Sequence, residues 1–297
     1  MSNALPKPEI KSFFDEATNT ASYVVWDSTT RHAAVIDSVL DFDYASGTIY
    51  YKSADKIIEF VKAQKLEVDW HIETHVHADH LSAAPYLQET LGGKIGISEK
   101  IIEVQNVFGK IFNEGTRFQR NGTQFDHLFQ DNEKYQIGAL TATALHTPGH
   151  TPACMAHHIG DAVFVGDTLF MPDGGTARAD FPGGDSRQLF RSIKRILALP
   201  ASTRIFVCHD YGPNGREYKF ETSVAEELEN NIHIANNISE DEFVALRDAR
   251  DATLDMPKLI LPSIQVNMRA GHMPESADNG EVYLKVPIKG LKNNPKA

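Results

Sequence analysis

Through its first two thirds the chain switches repeatedly between an apolar period of two and one near 3.6 residues, the pattern of strands alternating with helices. "ASYVVWD" (21–27) and "HAAVIDSV" (32–39) have the β-branched, apolar character of short strands. From Ser53, "SADKIIEFVKAQKL" places Ile57, Ile58 and Val61 on one face and predicts an amphipathic helix with Ser53 as N-cap. "VDWHIET" (68–74) reads as the next strand, and "LSAAPYLQETLGG" (81–93) as a helix closing on Gly92 and Gly93. Residues 104–134, rich in Phe, Gly and Asn, show no clean period, which predicts a long lid, an interface segment or a helix pair without a regular apolar stripe.

The pattern resumes with "TATALHTPGHTPACMAHHIGDAVFVGDTLF" (141–170), strands separated by tight turns. A helix is expected next, opened by Asp185 as N-cap, with Leu189, Phe190, Ile193, Ile196 and Leu197 on its inner face and Pro200 as its stop. "TRIFVCHDYG" (203–212) reads as a buried strand ending in His-Asp. Beyond about residue 221 there is one capping box, Ser239 with Glu242, and a Pro/Gly-broken stretch, "PSIQVNMRAGHMPES" (262–276), expected to wrap back on the body. The organisation inferred is a catalytic domain over 12–220, with an insertion at about 104–134, and a C-terminal extension over 221–297.

Composition narrows the function. With 29 basic and 40 acidic residues among 297, the chain carries a formal charge of −11. That argues against a sequence-independent hold on nucleic acid or an anionic membrane, since counterion release needs a basic surface. No stretch approaches the ~20 apolar residues of a membrane span, and "MSNALPKPEIKSFF" lacks the apolar core of a signal peptide, so a cytoplasmic protein is expected. The two cysteines, Cys154 and Cys208, make neither a disulfide framework nor a CxxC knuckle. A metal would therefore be held by nitrogen and oxygen.

Four short stretches concentrate those donors, each at the end of an expected strand: "THVHADH" (74–80), "HTPGHTPAC" (146–154), "FVGDTLF" (164–170) and "VCHDYG" (207–212). Three imidazoles and a carboxylate between His75 and His80 repel when protonated and desolvate poorly when neutral, unless a cation organises them. The spacing suits one metal, or two sharing a bridge. Outside this set, His146 is assigned at most an outer role, because Pro148 and Gly149 break any helix that would align it with His150. His157 and His158 point to opposite faces of a strand. Cys154 is read as packing.

In this order the four stretches resemble the metallo-β-lactamase superfamily, in the branch that holds glyoxalase II and the persulfide dioxygenases. The likeness runs from about residue 20 to 215 and implies an α/β fold, a four-layer αββα sandwich with a metal site at one edge. "RADF" (178–181) and "NMRAG" (267–271) favour the persulfide dioxygenases, while 104–134 is similar to the sub-branch of β-lactamase-like hydrolases of sulfide metabolism.

For a persulfide dioxygenase, the resemblance implies one Fe(II) per chain on His75, His150 and Asp167. Three facial ligands leave positions for a persulfide sulfur and O2, with oxidation of that sulfur to sulfite. His77, Asp79, His80 and His209 would then orient ligands, relay protons or shape the pocket. The glyoxalase II pattern instead puts one metal on His75, His77, His150 and Asp167, and a second on Asp79, His80, His209 and the shared Asp167. That pair of Zn or mixed ions would cleave a glutathione thioester. Either way the expected partner is a glutathione adduct, with Arg178 the candidate for its carboxylates and Tyr211 a hydrogen-bond donor beside the metal. A homo-oligomer is left open.

Overall fold

The computed structural model describes residues 7–289. The ends of the chain, including the start of the N-terminal stretch and the last residues of the expected C-terminal extension, lie outside the described residues.

In chain order the first half contains β1 (Glu9–Asp15), β2 (Thr20–Trp26), β3 (His32–Ile36), β4 (Val39–Asp43), β5 (Thr48–Tyr50), α1 (Lys52–Gln64), β6 (Glu67–Ile72), β7 (Leu81–Ser82), α2 (Ala84–Leu91), β8 (Lys94–Ser98), α3 (Ile101–Ile111) and β9 (His127–Phe129). The second half contains β10 (Lys134–Ile137), β11 (Leu140–His146), β12 (Met155–Ile159), β13 (Ala162–Phe164), α4 (Ser186–Leu197), β14 (Arg204–Phe206), β15 (Glu221–Ser223), α5 (Val224–Asn230), α6 (Glu240–Asp251) and α7 (Ile260–Asn267).

Two six-stranded sheets form, ordered β1-β2-β3-β6-β8-β9 and β10-β11-β12-β13-β14-β15. Side-chain alternation decides which residues lie between them. Tyr23 and Val25 of β2, Ala34 and Ile36 of β3, and Phe164 and Phe206 of the second sheet fill the inter-sheet core. Their alternate neighbours Val24, Ala33 and Val35 pack under α1 and α2, and Val163 and Ile205 pack under α4 and α6. The result is a mixed α/β sandwich, helices outside both sheets. Strands β3, β6, β8 and β9 are parallel, as are β13 and β14. The C-terminal ends of β6, β11, β13 and β14 therefore gather at one edge.

Three local expectations are corrected. Helix α1 begins at Lys52 with Tyr51 at the cap position. Ser53 lies inside its first turn, where its backbone N–H and hydroxyl both donate to the Asp41 carboxylate (2.8 and 2.9 Å). Residues 104–134 hold most of α3, whose Ile101, Val104 and Phe108 are buried, then a loop and β9. The stretch from 262 opens inside a helix, α7 continuing to Asn267 because Pro262 falls in its first turn, where a missing N–H costs little, and only beyond it, over 268–276, is the chain broken into turn and coil. Asp185 and the Ser239–Glu242 box cap their helices as predicted. No helix of the described residues is long and apolar enough to cross a membrane.

His157, wholly buried in β12, lies 2.9 Å from the Tyr135 hydroxyl. Burial pushes its pKa down to about 4. Unfolded, it titrates near ~6.5, so below that pH the unfolded chain takes up a proton that the folded protein refuses until about 4. Its contribution is complete above ~6.5 and is lost as pH falls. Between pH 7 and 5, His157→Gln should therefore lose about 1–2 kcal/mol less unfolding free energy than wild type in denaturant titrations. Equal losses would mean that His157 titrates normally.

Candidate metal centre

The loop after β6 contributes His75, His77, Asp79 and His80. The β11–β12 loop contributes His150, the segment after β13 Asp167, and the end of β14 His209. Both sheets supply donors, and all seven expected ligands meet at this edge. His75, His150 and Asp167 place one donor atom each within 4.8 Å of one another, as do His77, Asp79 and His80. Asp167 links to the second group through His209, whose Nε2 lies 3.5 Å from Asp79 Oδ2. Asp167 Oδ2 lies 3.5 Å from His150 Nε2 and 3.8 Å from His75 Nε2, while its Oδ1 lies 3.2 Å from His209 Nε2. Ligand atoms at 2.0–2.2 Å from a shared ion sit roughly 3–3.5 Å apart, so the spacing suits metal on either side of this carboxylate.

Each imidazole is held through one nitrogen while the other faces inward. His75 Nδ1 lies 3.1 Å from Thr74 Oγ1, His77 Nε2 3.0 Å from Asp37 Oδ1, His150 Nδ1 donates to the Arg178 carbonyl (2.8 Å), and His209 Nδ1 donates to the Asn19 carbonyl (3.0 Å). Such partners fix the tautomer that leaves a lone pair for a metal. Buried His75 Nε2, His77 Nδ1, His80 Nε2 and Asp167 Oδ1 have no hydrogen-bond partner. Burying polar atoms unpaired is costly, and metal bound at this edge would relieve that cost. The donor set fits a borderline transition metal.

Without metal the imidazoles divide: at His77 and His209 burial is outweighed by neighbouring acids, which raise the pKa well above its ordinary value, and His75 goes the other way. Burial, reinforced by the neighbouring His77 and His150, drives the His75 pKa well below its ordinary value, keeping the ring a neutral ligand. Burial alone would raise the Asp167 carboxyl, but the neighbouring His209 outweighs it and holds it ionised. Asp37 follows the same logic and is held at about 2, chiefly because His77 overcomes its burial.

Several residues of the site carry no sequence signal that singles them out. Asp37, at the end of β3, also accepts from the backbone and hydroxyl of Thr74 (2.8 and 2.9 Å). Glu73 Oε2 lies 3.4 Å from His77 Nε2, and its Oε1 accepts from Ser82 Oγ (2.6 Å). Thr20 Oγ1 donates to Asp79 Oδ2 (3.1 Å). Cys208 stands beside Asp167 and His209, but burial pushes its thiol up. Cys154 is likewise buried, pushed up to about 12, and packs against Thr151. His146 points away, to the Pro152 carbonyl.

A cavity of about 1010 Å³ opens onto Asp79, lined also by Phe170, Arg178 and Tyr211. Tyr211 is 58% exposed on its wall, its ring 6.1 Å from that of His209. Arg178, the expected carboxylate-binding residue, lines this cavity with its charge already engaged. Its guanidinium forms a two-point ion pair with Asp180 (2.6 and 2.8 Å) and donates to the Asp255 carbonyl. What it gives the site is its backbone carbonyl, on His150. The cavity-lining cations without an ion pair among the described residues include Lys52 and Arg250.

Comparison with known proteins agrees with this geometry. Residues 16–209 match the sequence profile of the Metallo-beta-lactamase superfamily. The chain is 55% identical over 292 residues to a "Probable metallo-hydrolase" of Burkholderia pseudomallei, covering 95% of this chain and 99% of that protein. It is 46% identical to "Glyoxylase B2" of Dictyostelium discoideum (96% and 99% covered) and 26% identical to the mitochondrial "Persulfide dioxygenase ETHE1" of Homo sapiens (88% of each). Among solved structures, ETHE1 from Myxococcus xanthus superposes with a TM-score of 0.71 at 28% identity, covering 89% of this chain and 100% of that one.

Proposed function

Since the chain belongs to the metallo-beta-lactamase superfamily and carries the donor set of a metal-dependent enzyme, we propose that it is a glutathione persulfide dioxygenase using one Fe(II) held by His75, His150 and Asp167. The observation that carries this reading is at the second position, where the protein's own groups already meet. His209 Nε2 lies between Asp167 Oδ1 (3.2 Å) and Asp79 Oδ2 (3.5 Å), and Asp79 also lies 3.2 Å from His80 Nδ1. On the His75 side, by contrast, His75 Nε2 has no hydrogen-bond partner and stands 3.8 Å from Asp167 Oδ2. The likeness to persulfide dioxygenase, extending over 88% of both chains, supports the same choice.

A ferrous ion supplies open coordination positions and the electrons that activate dioxygen. The chain supplies the rest. Thr74, Asp37 and the Arg178 carbonyl orient the imidazoles. Asp79, on the cavity wall, and the buried His209 behind it hold and pass protons as water adds and sulfite and thiol leave. Lys52 and Arg250 face the cavity and meet the carboxylates of a glutathione adduct. Arg250→Ala should therefore raise KM for glutathione persulfide about fivefold with little change in kcat, an exposed charge contact being worth about 1 kcal/mol. An unchanged KM would remove Arg250 from substrate recognition.

A second reading, a glyoxalase II-like thioesterase with two Zn or mixed ions, is favoured by the unpartnered Nε2 of His80 and by the 46% identical relative named Glyoxylase B2. Oxygen uptake separates the two. Protein reconstituted anaerobically with ferrous iron should consume O2 on addition of glutathione persulfide and form sulfite, in proportion to iron bound. Absence of uptake together with cleavage of lactoylglutathione would establish the thioesterase instead. Metal analysis of Asp79→Ala tests the same point: one iron per chain is expected to remain, whereas a dinuclear enzyme would lose about half its metal.

A further inference from the structure

The loop from His75 to His80 carries four of the seven candidate ligands, yet no backbone–backbone hydrogen bond of the described residues begins or ends on it. A loop so placed is free to shift unless something else fixes its main chain. We infer that Asn267, at the end of α7, is the positioning residue that does so. Its buried amide reaches back across the chain: Nδ2 donates to the carbonyls of His77 (2.9 Å) and His80 (2.8 Å), and Oδ1 accepts from Ser82 N (2.8 Å). One side chain thereby sets the distance between the two histidines that flank Asp79 and ties them to β7.

The rest of the segment is built to hold Asn267 there. Ile264, Val266 and Met268 are buried. Gly271 follows in a left-handed conformation (φ +85°), and a Cβ on it would stand 2.6 Å from Pro85 Cδ and 3.0 Å from the Ser82 carbonyl. The turn after α7 is thus pressed against the start of α2, immediately behind the metal loop. Ser82 joins the two braces, giving its N–H to Asn267 and its hydroxyl to Glu73, which in turn faces His77. Asn267 touches no ligand atom and acts through the backbone, and the inference holds whichever reaction the metal serves.

Asn267→Asp keeps the size and the acceptor for Ser82 but replaces both donors with a carboxylate facing two carbonyls. Cobalt(II) titration followed by visible absorption is the direct test. The variant is expected to bind cobalt about 10- to 100-fold more weakly than wild type, with an altered absorption spectrum. Val266→Ala, which loosens the same helix within a cluster that holds no residue of the His75–His80 loop, should lose as much thermal stability yet keep cobalt affinity and spectrum. Unchanged cobalt binding in Asn267→Asp, or equal losses in both variants, would overturn the inference. Should Asn267→Asp fail to fold, hydrogen exchange in the wild-type protein decides. Cobalt must slow exchange over 260–271 as well as 73–82, because coupling between the two segments is reciprocal. Protection confined to 73–82 would refute it.

Discussion

His75→Ala protein, reconstituted with iron beside wild type, is expected to retain essentially no metal and no oxygen uptake. His75 is fully buried, its Nε2 has no protein partner, and it faces Asp167 Oδ2. Removing it takes one of three protein ligands in the dioxygenase reading and leaves a buried gap with no donor in its place. A structural four-ligand zinc site binds with ~10–16 kcal/mol, so one ligand corresponds to roughly 3 kcal/mol or more, a fall of at least ~100-fold in affinity. The fold should survive, since His75 contributes no strand pairing, and circular dichroism would show that. Full iron content in a folded His75→Ala protein would take His75 out of the coordination sphere in both readings.

Gly149→Ala should be more damaging than any other alanine substitution in the His150 loop. Gly149 has φ +142°, and a Cβ there would lie 2.3 Å from the backbone N and Cα of Leu189, in α4. Main chain in a packed helix cannot step aside as a flexible side-chain tip can. The loop is also stitched to α4 around this point, Asp185 N donating to the Gly149 carbonyl and Ser192 Oγ to the Pro148 carbonyl. Overpacking and the disfavoured φ together cost about 3–5 kcal/mol, a large share of a total of ~5–15. His150, the next residue, would move with the loop. The denaturation midpoint should fall accordingly, and the folded fraction should bind metal weakly. A wild-type midpoint would mean that loop and helix separate at little expense.

Much of the architecture is legible in the sequence because it rests on local pattern. The alternation of Tyr23, Val24 and Val25, the Asp185 cap and the Ser239 box each state a local preference that packing does not override. Helix α3 is hidden because its buried face includes Gln105 and Gly109, which blur the apolar stripe. Helix α7 is hidden because Pro262 and Gly271 read as breakers, while one sits in a first turn and the other after the last.

The seven donors are visible in the sequence because imidazoles and carboxylates crowded at strand ends are seldom tolerated without a cation to hold them together. Their supports are not. Thr20, Asp37 and Asn267 are ordinary residue types whose role depends on partners up to 190 positions away, and no periodicity reports such a distance. Arg178 illustrates the converse. Its place beside the site is legible, but whether a charge is free depends on Asp180 and the Asp255 carbonyl, which only the folded chain brings to it.

The placement of the ligands on both sheets has a consequence for how the protein is made. As the chain emerges from the ribosome, His75 to His80 appear early, His150 and Asp167 much later, and His209 only once the second sheet is nearly complete. Asn267, the brace of the first loop, comes last of all. The full donor set is therefore complete only after both sheets have been made. A site that needs donors from both sheets would take its metal late, and which cation fills it would depend on the affinities of the finished site and on the metals available.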